Sequence, residues 1–161
     1  MVPLERARDL AAAGGDSFTF AVSLFDWTIV VLLAWIALFL SLRIPAVAKN
    51  GALFGLLFAL LMVWLGNHAG WKSIPPLSNR VTSISIGGAY GTILLLNVWG
   101  IVWPAQKRFL RWCRENPGVP PPPDLQARLR RALLVSRASF WLTFPILFLM
   151  AAASHFPLFV R

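Results

Sequence analysis

The chain has 161 residues, of which 58% are hydrophobic and only 13% are charged, and Lys and Arg outnumber Asp and Glu by 15 to 6. A soluble domain of this length carries about 25% charged residues, so the composition excludes an ordinary soluble domain and indicates one integral membrane domain. The single cysteine, Cys113, excludes an internal disulfide and a thiolate metal cluster.

Four apolar segments are long enough to cross a bilayer: residues 21–42, 51–70, 83–103 and 138–159. A spanning helix needs about 20 residues, and helices are expected because the bilayer core holds no water to satisfy backbone groups. The predicted fold is all-α, a four-helix transmembrane bundle that forms a single domain over residues 1–161, with a basic linker at residues 104–137. A cleaved signal peptide is the alternative for the first segment, but that segment is too long for a signal sequence.

The linker between the third and fourth spans has three parts. Pro104 is expected to begin a new helix and to bend the chain, because the residue before a proline disfavours the αR conformation. Residues 105–114 mix basic and aromatic side chains in the manner of a helix that lies at the membrane interface. The prolines at 120–123 predict an extended spacer, and Asp124 is predicted to cap a basic helix that runs on into the fourth span.

Basic residues are unevenly distributed between the connections. The loop after the first span and the linker together hold ten of the 15 Lys and Arg residues. With four spans these two connections lie on the same side of the membrane. Cytoplasmic loops carry the basic excess, so we expect this side to be cytoplasmic and both termini to be periplasmic in a bacterial inner membrane.

Small residues recur at helix-packing spacing on two of the spans. Gly51 and Gly55 are four residues apart on the second span, and Gly87 and Gly91 on the third. Such stripes let helix backbones approach closely in a membrane. We expect these glycines to hold the bundle together or to dock it on another membrane protein.

The end of the third span combines a polar side chain with large aromatic ones. Asn97 is costly in lipid, so we expect it to hydrogen-bond across helices. Trp99 and Trp103 are four residues apart and share a helix face, where rigid rings suit an interface. Contact with a partner or with lipid is predicted for Asn97, Trp99, Trp103, Lys107, Arg108, Arg111 and Trp112.

Asp26, His68 and His155 are polar residues inside the spans, and all are expected toward the outer face. Two histidines on different helices could ligate a haem b between them; otherwise each hydrogen-bonds a neighbouring helix or lies among headgroups. Asp26 either stays ionised near the interface or pairs with His68. We expect no catalytic or metal site, and no cofactor unless haem b is bound.

The stretch Asn97-Val98-Trp99-Gly100-Ile101-Val102-Trp103-Pro104-Ala105-Gln106-Lys107, with the Gly-rich helix before it, resembles the membrane domain of the bacterial membrane-bound urate oxidase family. The resemblance runs from Gly87 to Arg111. Members couple a multi-helix membrane region to a C-terminal cytochrome c domain. The chain has half the helices that the resemblance implies, few histidines and no cytochrome motif, so we expect a short relative without the cytochrome c domain.

Two functions follow from these features. The first is a non-catalytic accessory subunit of a larger inner-membrane complex, respiratory or photosynthetic, whose partners are other membrane subunits and anionic lipid on the cytoplasmic side. The alternative is a haem-binding electron-transfer protein or the membrane module of a urate-oxidase-like enzyme. A transporter is disfavoured because no buried charge pathway is present. Basic residues beside a membrane gain about 1 kcal/mol each from anionic lipid, so no nucleic-acid partner is expected.

Overall fold

The computed structural model describes the backbone of residues 17–71, 79–156 and 158, and the side chains of residues 25–68, 79–156 and 158. These residues form helices and connections without a strand, which confirms the all-α fold class. The termini and residues 72–78, on which part of the topology prediction depends, lie outside the described residues. In chain order the helices are α1 (Ser17–Ser41), α2 (Pro45–Lys49), α3 (Gly51–Trp71), α4 (Asn79–Asn97), α5 (Trp103–Glu115) and α6 (Pro123–His155).

Three stretches of helix are long and apolar enough to cross a membrane within the described residues: Gly51–His68, Asn79–Glu115 and Pro123–His155. The chain is therefore a membrane protein by the length and composition of its helices. The apolar part of α1 with described side chains, Phe25–Ser41, is shorter. The last helix ends at His155 rather than at residue 159, because Phe156 takes an extended backbone with φ −133° and ψ 128°.

The central helix of the bundle is α4, which packs mainly against α6 and next against α3. Its buried residues include small and polar ones as well as apolar ones, among them Ser83, Ser85, Gly87 and Ala89. Small side chains allow neighbouring helices to approach closely, which is how helices associate without a hydrophobic driving force. The core around α4 is completed by larger side chains from the other helices: Val31, Leu38, Phe54, Leu65, Val135 and Leu142.

The predicted linker, residues 104–137, is mostly helical. Within it, α5 packs beside the first turns of α6, and the two form an antiparallel hairpin. A tight turn joins them: Val119 N–H donates to Asn116 O at 3.2 Å, and Gly118 has φ +80°. Pro117 and Gly118 therefore occupy the two central positions of a type II turn, which requires a positive φ at the second of them.

The first residue of α6 is Pro123, and Pro122 (φ −63°, ψ 157°) is its N-cap, so the prediction that Asp124 caps this helix was wrong. Proline is favoured in the first turn because its missing N–H has no partner there in any case. Asp124 instead lies in the first turn, where the helix dipole stabilises a negative charge. From Pro123 the helix continues for 33 residues, which confirms that the basic segment runs on into the last span.

The short helix α2 connects the end of α1 to α3 and is held by two side chains. Asn50 Oδ1 accepts hydrogen bonds from the N–H groups of Ala52 and Leu53, at 3.1 and 3.2 Å, and so caps the start of α3. Arg130 of α6 donates through Nε and one terminal nitrogen to the carbonyl groups of Ala48 and Lys49, at 3.2 and 2.6 Å. The arginine-rich half of α6 is thereby tied to the loop after α1.

Candidate docking surface and the two ends of the bundle

Asn97 is fully buried between α4 and α6. Its Nδ2 donates to Ser139 Oγ at 3.2 Å, and its Oδ1 has no hydrogen-bond partner among the described residues. Burying an amide in an apolar bundle is costly unless it is hydrogen-bonded, so this contact fixes the position of α6 along α4. Because Asn97 is buried, it contacts other helices of its own chain and supports the adjacent surface indirectly.

A π-turn, Val98–Val102, joins α4 to α5, and the helix continues through Pro104. The expectation that the residue before Pro104 leaves the αR conformation was wrong, since Trp103 has φ −58° and ψ −47°. In a regular helix a proline ring overlaps the carbonyl group four residues earlier. Here the turn before the proline is wider, because Trp103 N–H donates to the carbonyl of Val98, five residues earlier.

Four of the exposed side chains after Asn97 recur at four-residue spacing, and we call them the tryptophan face: Trp99, Trp103, Lys107 and Arg111. Trp99 is 67% exposed and Trp103 54%. Residues four apart on a helix are surface neighbours, so each member of the tryptophan face lies next to the following one. The tryptophan face therefore passes from an apolar half on the π-turn to a basic half on α5.

Two other residues of the predicted contact set face the α5–α6 hairpin instead. The indole of Trp112 is half-buried, and its Nε1 donates to Val119 O at 3.4 Å, beside the type II turn. Arg108 lines a cleft between α5 and α6. The structure thus divides the predicted contact residues between the tryptophan face and the hairpin.

The two histidines lie on different helices with different neighbours. His68 Nε2 is 3.4 Å from Asp26 Oδ2, so these side chains pair between α3 and α1, and the His68 ring also lies 5.7 Å from that of Trp64. His155 is exposed at the end of α6, and its ring centroid is 6.4 Å from that of Phe156. One of the two ring nitrogens of His68 that could ligate a metal or haem, Nε2, therefore faces a carboxylate in this structure.

The four glycines predicted to mediate packing have different surroundings. A Cβ built on Gly87 would lie 3.5 Å from Leu149 Cβ, so this glycine is where α4 touches α6. A Cβ on Gly51 would lie 3.3 Å from Leu134 Cδ2, also on α6. Among the described residues, a Cβ would have no heavy-atom neighbour within 4 Å at Gly55 or Gly91. Of these four glycines, only Gly51 and Gly87 contact α6 among the described residues.

Two other glycines, which the sequence spacing did not single out, accept an aromatic ring from another helix. Tyr90 Oη lies where a Cβ of Gly66 would be, and it donates to Met62 O at 2.9 Å. A Cβ on Gly100 would lie 2.6 Å from Cζ2 of the Trp35 indole, which seats α1 on the π-turn. In both contacts the sequence shows only that an aromatic residue lies on another helix, and it does not show which glycine that residue contacts.

A second exposed aromatic group, on α6, was also missed. The ring centroids of Phe140, Trp141 and Phe144 are 5.5 to 5.9 Å apart, and all three side chains are exposed. Phe140 directly follows Ser139, the partner of Asn97, so this aromatic group begins at the same level of the bundle as the tryptophan face. Trp141 is 69% exposed and Phe144 54%, nearly the values of Trp99 and Trp103.

The two ends of the bundle differ in chemistry. One end, here called the histidine end, carries Asp26, His68, Asn79 and His155. The other, here called the arginine end, carries four arginines around one cleft: Arg43, Arg108, Arg128 and Arg131. The loop after α1 and the segment between α5 and α6 therefore lie at the same end of the molecule.

Comparison with known proteins identifies the family. A family model described as urate oxidase N-terminal matches residues 18–161, far beyond the stretch on which the resemblance rested. No curated protein and no solved structure matches the chain. The predicted resemblance is confirmed, and the chain belongs to the urate oxidase N-terminal family.

Proposed function

We propose that this protein is a four-span, non-catalytic membrane module that docks into a larger bacterial inner-membrane assembly, respiratory or photosynthetic, through its tryptophan face. Its partners are membrane subunits at that face and anionic lipid at the arginine end. The observation that carries the proposal is the pair Trp99 and Trp103, exposed at 67% and 54% next to a fully buried Asn97–Ser139 contact.

The position of α1 supports a fourth span. Asp26 pairs with His68 at the histidine end, and Arg43 lines the cleft at the arginine end. Arg43 is 17 positions after Asp26, which corresponds to roughly 26 Å of helix at about 1.5 Å per residue, close to the thickness of the hydrocarbon core. The whole of α1 has 25 residues, enough to reach both interfaces.

The gathering of arginines at one end supports a cytoplasmic arginine end. Cytoplasmic connections carry the basic excess in inner-membrane proteins. With four spans, both termini are then periplasmic. A reporter fused after Arg161 that is active only in the periplasm is the expected result, and activity only in the cytoplasm would reverse the orientation.

The tryptophan face has the properties of a docking surface. Indole rings present a large, rigid contact area and are enriched among the residues that contribute most to interfaces. The Asn97–Ser139 hydrogen bond holds the helix that carries them against α6, so the two rings are presented on a fixed support. Lys107 and Arg111 continue the tryptophan face with two cations that can meet a partner's acidic edge.

The experiment compares two aromatic pairs of equal exposure. The Trp99→Leu, Trp103→Leu double variant should insert into the membrane but separate from its native complex on a native gel. The matched control is Trp141→Leu, Phe144→Leu, with exposures of 69% and 54% on α6. Retention of the first variant at wild-type stoichiometry, or equal loss of both, would overturn docking by the tryptophan face.

A second candidate is favoured by the family match. The family is named for urate oxidase, so the chain would be the membrane module of a urate-oxidising enzyme, with haem b between His68 and His155. For such ligation His68 Nε2 must exchange Asp26 for the iron. A Soret band in the purified native protein that disappears in both His68→Ala and His155→Ala would support this function, and its absence would support the docking module.

A further inference from the structure

A cleft of about 600 Å³ opens at the arginine end, where α1, the π-turn, α5 and α6 meet. Three separate parts of the sequence contribute to it, so no local motif marks the site. We call it the arginine cleft, and it is lined by Phe39, Leu42, Arg43, Gly100, Ile101, Pro104, Ala105, Arg108, Asp124, Ala127, Arg128 and Arg131.

The four arginines of the cleft have no acidic partner in the described part of the chain. Asp124 is the one carboxylate among the lining residues, and no arginine nitrogen lies within 4.0 Å of its oxygens. Arg131 Nε is buried without any hydrogen-bond partner in the same part of the chain. The cleft therefore gathers four cations that no carboxylate of the described residues pairs with, which leaves their accessible N–H groups available to an external anion.

The neighbouring Arg130, which does not line the cleft, is bonded differently. Arg130 donates to the carbonyl groups of Ala48 and Lys49, so its charge is used inside the protein. Arg43 is partly fixed as well, since its guanidinium carbon lies 5.2 Å from the centre of the Phe39 ring. That contact leaves its N–H donors free to bind an oxygen anion at the mouth of the cleft.

The rest of the lining is apolar and comes from the membrane-spanning part of the bundle. Phe39 of α1 and Leu42, directly after α1, close one side of the cleft, and Ile101 and Pro104 close it from the π-turn and α5. Leu40 and Ile44, each next in sequence to a lining residue, are exposed as well. The cleft therefore offers cations at its polar end and hydrocarbon along its walls.

We propose that the arginine cleft binds one anionic phospholipid, with the phosphate among the four guanidinium groups and an acyl chain along the apolar wall. Planar guanidinium groups match phosphate oxygens with paired hydrogen bonds, and basic pockets between spans bind phosphorylated headgroups. With four arginines and one aspartate, the lining carries an excess of three positive charges. The proposal rests on the membrane location proposed above and does not depend on the docking role.

Lipid binding to the isolated, delipidated protein in detergent tests the proposal. Phosphatidylglycerol should bind in native mass spectra and raise the Tm, whereas phosphatidylcholine, which has a phosphate but no net charge, should do so about tenfold more weakly. Inorganic phosphate is a control that shows whether the anion alone, without acyl chains, is enough to bind. If phosphate alone raises the Tm as much as phosphatidylglycerol does, the cleft is an anion site and the lipid proposal is wrong.

Matched double variants locate the binding. Arg108→Gln with Arg128→Gln removes two cleft charges, and Arg114→Gln with Arg137→Gln removes two charges from the same two helices outside the cleft. The first pair should lower phosphatidylglycerol affinity about tenfold, and the second by about twofold or less. Equal losses would show diffuse attraction and overturn the cleft. Since no partner subunit is present, either result is independent of docking by the tryptophan face.

Discussion

The polar groups at the two ends of the bundle differ in whether they find partners within the chain. At the histidine end, Asp26 pairs with His68, and the side chain of Asn79 joins α4 to the end of α6. At the arginine end, four arginines surround a cleft without an acidic partner within 4.0 Å among the described residues. One end is closed by contacts within the chain, and the other presents charge outward.

Because of this difference, we expect the histidine end to contribute mainly to the stability of the fold and the arginine end mainly to ligand binding. Hydrogen bonds between helices hold the histidine end together, so substitutions there should act mainly on unfolding. Unpaired cations contribute little to the folded state and are available to an anion, so substitutions at the arginine end should act mainly on ligand affinity. The exception at the arginine end is Arg130, which is used within the chain.

The largest effect is expected for Asn79→Ala at the histidine end. Asn79 Nδ2 donates to the carbonyl groups of Ala152 and Phe156, at 3.3 and 3.0 Å, and its Oδ1 accepts from Leu158 N–H at 2.8 Å. At about 0.5 to 1.5 kcal/mol per hydrogen bond, the loss should be about 2 kcal/mol of unfolding free energy. Unfolding in SDS and the Tm in detergent both measure it.

Asn67→Ala is the matched control, since Asn67 is an exposed amide near the same end of the bundle. It should change the unfolding free energy by less than about 0.5 kcal/mol. Equal destabilisation by both substitutions would mean that the Asn79 contacts do not close the histidine end.

The sequence predicts the apolar helices because their signal is local: a long run without charge has few alternatives in a membrane. It also predicts the burial of Asn97, and it gives the pairing of Asp26 with His68 as one of two alternatives. Both depend on depth in the membrane more than on detailed packing. The sequence does not separate Gly87, which touches α6, from Gly91, where a Cβ would have no heavy-atom neighbour within 4 Å among the described residues. Identical spacing on one helix cannot encode where the neighbouring helix lies.

The arginine cleft could not be predicted for the same reason. Its arginines come from the end of α1, from α5 and from α6, and only the packing of these helices brings them together. The sequence placed Arg108 with the tryptophans because they follow one another in the chain. A π-turn and the hairpin with α6 direct Arg108 to the cleft instead, and neither has a sequence signal as strong as an apolar run.

A smaller effect is expected for Arg130→Gln at the arginine end. The substitution removes the charged donors that reach Ala48 O and Lys49 O and so loosens α2 from α6. Because the side chain is exposed, the loss should be about 1 kcal/mol in lipid-free detergent. Arg128 lies two residues earlier in α6 and lines the cleft. Arg128→Gln should therefore leave the free energy of unfolding unchanged in the same detergent. If Arg128→Gln lowers the free energy of unfolding as much as Arg130→Gln does, the cleft arginines contribute to stability and the proposed difference between the two ends is wrong.

The smallest effect is expected for Asp124→Asn, and it tests the comparison of the two ends most directly. Asp124 is the carboxylate that lines the arginine cleft, so removing its charge strengthens the attraction between the cleft and a lipid phosphate. An exposed charge interaction of about 0.5 kcal/mol corresponds to an affinity for phosphatidylglycerol about two- to threefold higher. Asp26→Asn removes the same charge at the histidine end, and it should leave lipid affinity unchanged because that end is roughly 26 Å of helix away. Titration of both variants with phosphatidylglycerol measures the difference, and an equal gain in both would mean that net charge alone, rather than the cleft, attracts the lipid.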